Sequence, residues 1–350
     1  LREDVVQKGP VAPGLFYCGE FCQVRWKPRK TNESQYLSMI VSASRRTDIP
    51  AFYSDWLLNR LQAGYVLVRN PFNPLQVSRV ALDPGVVDCL VFWTKNPAPL
   101  LPRLEEIDRL RYPYFFNYTL TGCDRILEQH LADLDTRIAA FRRLSERIGP
   151  ERMLWRFDPI VLTPTLDPGH YLRSFAQLAQ QLRGFTRRCT ISFLSVYAKC
   201  KRNLAGLALL PLEDSEKIRF IRGLAALAGR CEIELRACCD PLLTEQCGIA
   251  AARCIDERLV ADILGQPVRI KKDSGQRPGC GCAASIDIGA YNTCPHGCRY
   301  CYANVSPQVV ARNHAAHDPR SPLLTGVLNG REIITERRMA SVCSPQGRLF

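Results

Sequence analysis

The residues best suited to chemistry lie late in the chain, in the run Cys294-Pro-His-Gly-Cys298-Arg-Tyr-Cys301-Tyr-Ala-Asn304. Three thiolates at this C-x3-C-x2-C spacing can each bind one iron of a cubane [4Fe–4S] cluster, leaving the fourth iron without a protein ligand. S-adenosylmethionine (SAM) can chelate that open iron through its amino and carboxylate groups. One electron from the cluster then cleaves the sulfonium C–S bond and gives a 5′-deoxyadenosyl radical, which abstracts a hydrogen from substrate. Tyr300, just before the third cysteine, suits contact with adenine. The competing assignments are a zinc site and a purely structural cluster. Zinc usually takes four ligands in two close pairs, and electron-transfer clusters normally have four cysteines, whereas this loop supplies three. His296 inside the loop reads as a turn or hydrogen-bonding residue.

A second set of thiols precedes this loop. The chain has 17 cysteines, most of them between Cys189 and Cys301. A disulfide scaffold is usually short and secreted, so ligation in a reducing compartment is the better reading at 350 residues. Cys239, Cys254, Cys280 and Cys282, with Cys238 and Cys247 as substitutes, have the donors for a second [4Fe–4S] cluster or a zinc ion. Free buried cysteines are the plain alternative. The run Lys272-Asp-Ser-Gly-Gln-Arg277 is placed to order this group. Cys18 and Cys22 form only a weak metal signal.

These groups need a scaffold. Strand-like runs occur near 39–44, 65–69, 88–94, 113–120, 152–158, 189–197, 231–237 and 285–289. Helical patterns fall between them at 51–63, 100–109, 124–148, 169–184, 213–229 and 256–264. Strand–helix alternation implies an α/β fold with a mostly parallel sheet, and this many units suit a (β/α) barrel, TIM-like or partial. Polar clusters follow the expected strands at 44–48, 69–73, 94–97, 119–122, 156–159 and 195–199. One such cluster is an ordinary turn, but six repeats point to a shared polar site at the strand ends. Residues 1–38 show no sustained period and read as an extension, with the fold, and even the native start, expected at Met39. The barrel domain is expected over 39–317, including the cysteine-rich region 238–301, and a tail over 318–350.

The loop resembles the radical-SAM cluster motif, and its C-x3-C-x-Y-C-Y form is similar to that of spore photoproduct lyase. A longer resemblance rests on Ser42-Ala-Ser-Arg-Arg-Thr-Asp-Ile-Pro50, Asn70-Pro-Phe-Asn-Pro74, Phe92-Trp-Thr-Lys-Asn-Pro97, Trp155-Arg-Phe-Asp-Pro-Ile160 and Asp287-Ile-Gly289 with the loop that follows. These look like the bacterial domain-of-unknown-function family 1848, over about 39–350. That family is described as radical-SAM-like by its C-terminal cysteines and has no assigned reaction. In ordinary radical-SAM enzymes the cluster loop follows the first barrel strand; here it follows the last expected one. A circularly permuted barrel would restore the geometry, because first and last strands are neighbours in a closed barrel.

On this reading Cys294, Cys298 and Cys301 ligate the cluster and Tyr300 flanks adenine. Arg45, Arg46, Lys95 and Arg156 are the candidate cations for a SAM carboxylate and an electron-rich cluster. Asp48 and Asp158 are candidate acceptors for the SAM amino group or ribose. Lys199, Tyr197 and Asn96 are candidates to position substrate, and ordinary salt bridges are the alternative for each charged residue. An electron donor such as flavodoxin or ferredoxin is implied.

The formal charge of +13 suits a polyanionic partner such as DNA, without any zinc-finger spacing or recognition-helix signature. DNA or nucleotide repair is thus one expected role; a non-enzymatic iron–sulfur or zinc nucleic-acid-binding protein is the rival. The last residues, Gln346-Gly-Arg-Leu-Phe350, resemble the pentapeptide that binds the bacterial sliding clamp. No apolar run reaches the ~20 residues of a bilayer span, and the first residues lack an apolar signal core, so a cytoplasmic protein is expected.

Overall fold

The computed structural model describes residues 39–277 and 279–338, apart from the side chains of Ala198 and Lys199. In chain order the strands are β1 (Ile40–Ala43), β2 (Tyr65–Arg69), β3 (Gln76–Ala81), β4 (Cys89–Thr94), β5 (Tyr114–Thr119) and β6 (Met153–Ile160). They continue with β7 (Arg188–Phe193), β8 (Glu234–Ala237), β9 (Ala250–Ala251), β10 (Ile286–Asp287) and β11 (Ile333–Glu336). Eight of them pair side by side, all parallel, in the order β10-β1-β4-β5-β6-β7-β8-β9. The protein is therefore α/β with an eight-stranded parallel sheet. Among the described strands, β9 and β10 form its two ends and do not pair with each other.

Side-chain alternation explains the two faces of this sheet. Leu90 and Phe92 on β4, Phe116 and Tyr118 on β5, and Trp155 and Phe157 on β6 point one way, into a large core shared with Phe141, Phe175 and Leu224 of the helices. Ile40, Val91, Phe115 and Leu154 point the other way, and helix Glu257–Leu264 covers them with Leu259 and Val260. Cys254, Cys280 and Cys282 belong to that second core. The segment around 254–283 thus packs on the sheet face opposite the other helices. Farther along the strands this face turns polar, with Ser42, Trp93, Asn117, Arg156 and Thr190 in successive positions.

Two expected elements differ. The run 65–69 does not join the parallel sheet: β2 pairs antiparallel with β3, and β3 pairs parallel with β11. The cause is the turn Asn70-Pro-Phe-Asn-Pro74, where Asn70 Oδ1 accepts from Phe72 N at 2.9 Å and Asn73 Oδ1 from Leu75 N at 3.2 Å. The partner β11 comes from the stretch read as a tail. The expected helix 124–148 begins only at Leu134, where Asp133 caps it by accepting from Thr136 N at 2.8 Å. The backbone before it is used differently: Leu127 O accepts from Arg299 N at 2.9 Å, and His130 N donates to His296 O at 3.1 Å. Residues 127–130 thus form one wall of the cysteine loop.

Candidate functional site

The cysteine loop is held where the parallel strands end. It leaves β10, which lies beside β1, and one carboxylate fastens the two strand ends together. Asp287 accepts from Ser42 Oγ at 2.9 Å, Ser44 Oγ at 2.6 Å, Arg45 N at 2.7 Å and Gly289 N at 3.0 Å. Gly289 is needed for this approach, because a Cβ there would lie 2.6 Å from Ser44 Cβ. The loop then turns at Gly297, whose φ of +67° and contact with the His130 ring both favour glycine. Asn304 Nδ2 closes the turn by donating to Cys294 O at 2.8 Å.

Cys294, Cys298 and Cys301 are free and half-buried. Burial pushes all three thiols above the usual range, and for Cys294 the nearby Asp48, Cys301 and Cys298 add to this. Lys95 acts in the opposite direction on Cys298 and Cys301. The three thiols therefore share one electrostatic environment, with a cation beside them. Among the described residues, no three His, Cys, Asp or Glu side chains are arranged to hold a metal ion as they stand.

The residue that sequence reasoning missed is Glu128. It is buried, 2% exposed, and collects Lys95 Nζ at 2.7 Å, Thr121 Oγ1 at 3.0 Å, Arg137 Nη1 at 3.2 Å and the Tyr300 hydroxyl. Burial alone would raise its pKa, but Lys95, Tyr300 and Arg137 hold it below the ordinary carboxylate range. Lys95 is likewise held up by Glu128 and Cys298 against its own burial. The only sequence clue was the position of Glu128 within a supposed helix, where a lone acid looks like a solvated face. Tyr300 lies with its hydroxyl on Glu128 and its ring 5.6 Å from Lys95 Nζ.

The other candidates divide into two neighbourhoods. Asp48 belongs with the cysteine loop: its Oδ2 meets His296 Nε2 at 2.8 Å and Lys95 N at 2.7 Å, while Oδ1 caps a short helix through Ala51 N at 3.0 Å. Both oxygens are thus engaged within the protein, which makes Asp48 a brace for the loop. Asn96 similarly accepts from Ala98 N at 3.1 Å in a turn. Arg45 reaches the loop through its carbonyl, which accepts from Tyr302 Oη at 2.8 Å. Its guanidinium lies 5.0 Å from the Trp93 ring and 3.5 Å from Asp273, and its Nη2 is buried without a partner. Arg46 rests over Tyr291 at 5.2 Å and donates to Gly289 O at 3.4 Å.

Arg156 and Asp158 lie instead with the second cysteine group. Arg156 Nη1 donates to Cys254 Sγ at 2.7 Å, and Asp158 takes Arg156 Nη2 and Ser192 Oγ. Arg156 also rests 5.1 Å from the Trp93 ring, so Trp93 stands between the two neighbourhoods. Cys239, Cys254, Cys280 and Cys282 come together, and Cys238 joins them. Cys247 does not: its thiol donates to Ile218 O at 3.8 Å. Tyr197 is exposed and ring-packed against Tyr302 at 5.7 Å. Lys199 lies on the short helix Ala198–Lys201, but its side chain is outside the described ones, as are Cys18, Cys22 and the run 346–350.

A cleft of about 380 Å³ opens beside the loop, lined by Arg46, Asn70, Phe72, Tyr291, Asn292 and Val305 among others. The conspicuous member is Phe72, which is 93% exposed at the tip of the β2–β3 turn. A second hollow of about 510 Å³ lies between helices Leu134–Ile148 and Pro168–Leu182, and no cysteine lines either of the two.

Comparison with known proteins gives one informative result. The profile of a family described as a domain of unknown function (DUF1848) matches residues 40–303, from β1 through the cysteine loop. No curated protein matches the chain. Among solved structures, the crystal structure of a complete multifunctional pyruvate carboxylase from Rhizobium etli aligns at a TM-score of 0.26 with 9% identity, covering 84% of this chain and 29% of that one.

Proposed function

The chain belongs to the domain-of-unknown-function family DUF1848, and from that premise we propose that it is a radical-SAM-like enzyme with a [4Fe–4S] cluster on Cys294, Cys298 and Cys301. The observation that carries this reading is the setting of those thiols. They are free, half-buried and grouped on one loop at the C-terminal edge of a parallel sheet, with Lys95 beside them. That edge is where α/β folds place their chemistry. The donor set fits a cubane with one open iron better than zinc, because the loop supplies three thiols and not two close pairs; His296 meets Asp48 through Nε2, and its Nδ1 is buried without a partner. The buried, unpaired Nη2 of Arg45 fits an anionic ligand group such as the SAM carboxylate.

When bound, the cluster would supply the electron that splits the SAM sulfonium and so yields the hydrogen-abstracting 5′-deoxyadenosyl radical. The chain's own residues prepare this. Lys95, fixed by Glu128, puts a positive charge beside Cys298 and favours its thiolate. Tyr300, anchored by its hydroxyl, presents its ring for adenine, and Asp48 and His296 brace the loop. Because β10 lies directly beside β1, the arrangement reads as a partial barrel, circularly permuted from ordinary radical-SAM enzymes, with the loop entering at the sheet's first edge. The charge of +13 and the lyase-like loop favour a nucleic-acid or nucleotide substrate in the cleft beside Phe72. Flavodoxin or ferredoxin would supply the electron, and the terminal pentapeptide would join the protein to a sliding clamp.

The test is anaerobic reconstitution, reduction with dithionite and addition of SAM. Release of 5′-deoxyadenosine is expected; its absence from cluster-loaded preparations sinks the enzyme reading and leaves a metal-held nucleic-acid-binding protein. Deleting the last five residues is expected to abolish clamp pull-down, and unchanged binding would dispose of that partner.

A further inference from the structure

The second cysteine group closes into a ring. Cys238 Sγ lies 3.8 Å from Cys239 Sγ. Cys239 is in side-chain contact with Cys280, Cys280 with Cys282, Cys282 with Cys254, and Cys254 with Cys238 again. Five free thiols from three separate stretches of chain thus face one another. Chance does not readily assemble such a ring, because each stretch must be steered there independently. Cys238 follows β8, where Arg236 and then Cys238 alternate onto the polar face of the sheet. Cys254 is placed by Asn117 Nδ2, which donates to the Cys254 carbonyl at 3.0 Å. Cys280 and Cys282 are returned by a small ladder in which Asp273 N donates to Cys282 O at 2.9 Å and Ala283 N to Ile255 O at 3.0 Å.

The surroundings suit anionic sulfur. Arg156 Nη1 donates to Cys254 Sγ at 2.7 Å, and Arg277 Nη2 to Cys238 Sγ at 3.7 Å. A guanidinium is an expensive neighbour for a buried neutral thiol and a natural one for a thiolate or a thiolate-bound cluster of net negative charge.

We propose that this ring is a second iron–sulfur site, in which Cys254, Cys280 and Cys282 bind three irons of a [4Fe–4S] cluster and the adjacent pair Cys238–Cys239 supplies the fourth ligand. The all-sulfur donor set suits a cluster, and a four-cysteine zinc ion is the alternative that metal analysis separates. A cubane carries a full set of four cysteines when no exogenous ligand is needed. The site therefore lacks an open iron, and its setting differs from the three-cysteine loop in that respect. Between the two lies Trp93, with Arg45 of the loop side and Arg156 of the ring side both over its ring.

The inference is independent of the first cluster, and the experiment separates them. The full chain and the variant Cys294→Ala/Cys298→Ala/Cys301→Ala are purified anaerobically, reconstituted, and analysed for iron, sulfide and zinc, with electron paramagnetic resonance after reduction. The proposal expects about eight irons in the wild type and about four retained in the variant, with a cluster signal. A variant that retains no iron, or that binds one zinc instead, overturns it. The complementary variant Cys254→Ser/Cys280→Ser/Cys282→Ser is expected to lose that signal while keeping the other four irons. If it fails to fold by circular dichroism, the first variant, whose ring is intact, still decides. Wild-type iron of about four, all lost with the ring cysteines and none with the loop cysteines, would instead remove the first cluster and leave the second.

Discussion

The two cysteine groups are built in opposite ways. The loop at 294–301 gathers three thiols from eight consecutive residues and keeps them half-buried beside a cleft. The ring gathers five thiols from three stretches between 238 and 282, and its Cys254, Cys280 and Cys282 are buried within the second core. All three loop thiols are half-buried, whereas three of the ring's five are buried and Cys238 and Cys239 are half-buried. The ring is also cross-braced by arginines. A local motif can move between folds with little change, whereas a ring of this kind exists only if β8, the helix after Cys254 and the 270–283 ladder all fold correctly. The loop is thus the more open group of the two and the ring the more closed one.

The sharpest way to break this comparison is to remove one ligand from the open group. Cys298→Ala is expected to reduce 5′-deoxyadenosine formation to background while the ring retains its iron; equal loss of iron at both sites would show that they are one assembly. The thiols at the loop lie above their usual range through burial, so ligation must displace protons. Cluster assembly should consequently weaken as pH falls, and a pH-independent reconstitution yield would contradict this.

Next in size is Glu128→Gln, which keeps the shape and leaves Lys95 buried without its counter-charge. A loss of about 3 kcal/mol is expected from chemical denaturation, since removing one partner of a buried pair leaves the other charge uncompensated. The pH dependence has a definite sign. The Glu128 carboxyl is depressed in the folded protein, so its stabilisation is complete above the ordinary carboxylate pKa and lost as pH falls through the lowered folded value. The variant should therefore lose the wild type's acid-side sensitivity from this group. A variant as stable as wild type at neutral pH would show that Glu128 is not the brace of the open group.

These two groups also show what can be read from a sequence. Strand–helix alternation marked seven of the eight parallel strands, because buried apolar runs and periodic helices are local properties. It also marked β2 as a strand but not its sheet, since pairing partners are set by turns such as 70–74 and by a segment as distant as β11. Cys294, Cys298 and Cys301 were conspicuous because their C-x3-C-x2-C spacing is a local property of the chain. Four members of the ring, Cys239, Cys254, Cys280 and Cys282, were named from the sequence, but Cys238 could not be preferred over Cys247 until β8 had oriented it. Glu128 was invisible, because the backbone bonds that unwind 124–133 are made to the cysteine loop some 170 residues away.

A smaller perturbation tests the fastening of the open group to the sheet. Gly289→Ala would drive a methyl into Ser44, whose hydroxyl donates to Asp287. The chain must shift, at a cost of about 1–3 kcal/mol. Iron at the loop should become easier to remove with a chelator, and iron in the ring should not. Equal lability at both would mean that the β1–β10 junction does not belong to the loop alone.

The smallest expected effect lies at Trp93, which touches both groups. Its indole Nε1 donates to Ser42 Oγ at 3.0 Å, and Ser42 in turn donates to Asp287, so the ring plane is tied to the open group's junction. Arg45 and Arg156 both rest over that ring, and the π-face accommodates two like charges that would otherwise face each other across the sheet. Trp93→Phe keeps an aromatic face for both guanidinium groups and removes the donor, so it should cost about 1 kcal/mol in thermal or chemical unfolding. Trp93→Ala removes the face as well and should cost more, with the excess reduced when Arg45 is also replaced by Ala. A double-mutant cycle reads that excess directly. If Trp93→Ala and Arg45→Ala prove additive, the two groups are merely neighbours, and Trp93 does not couple them.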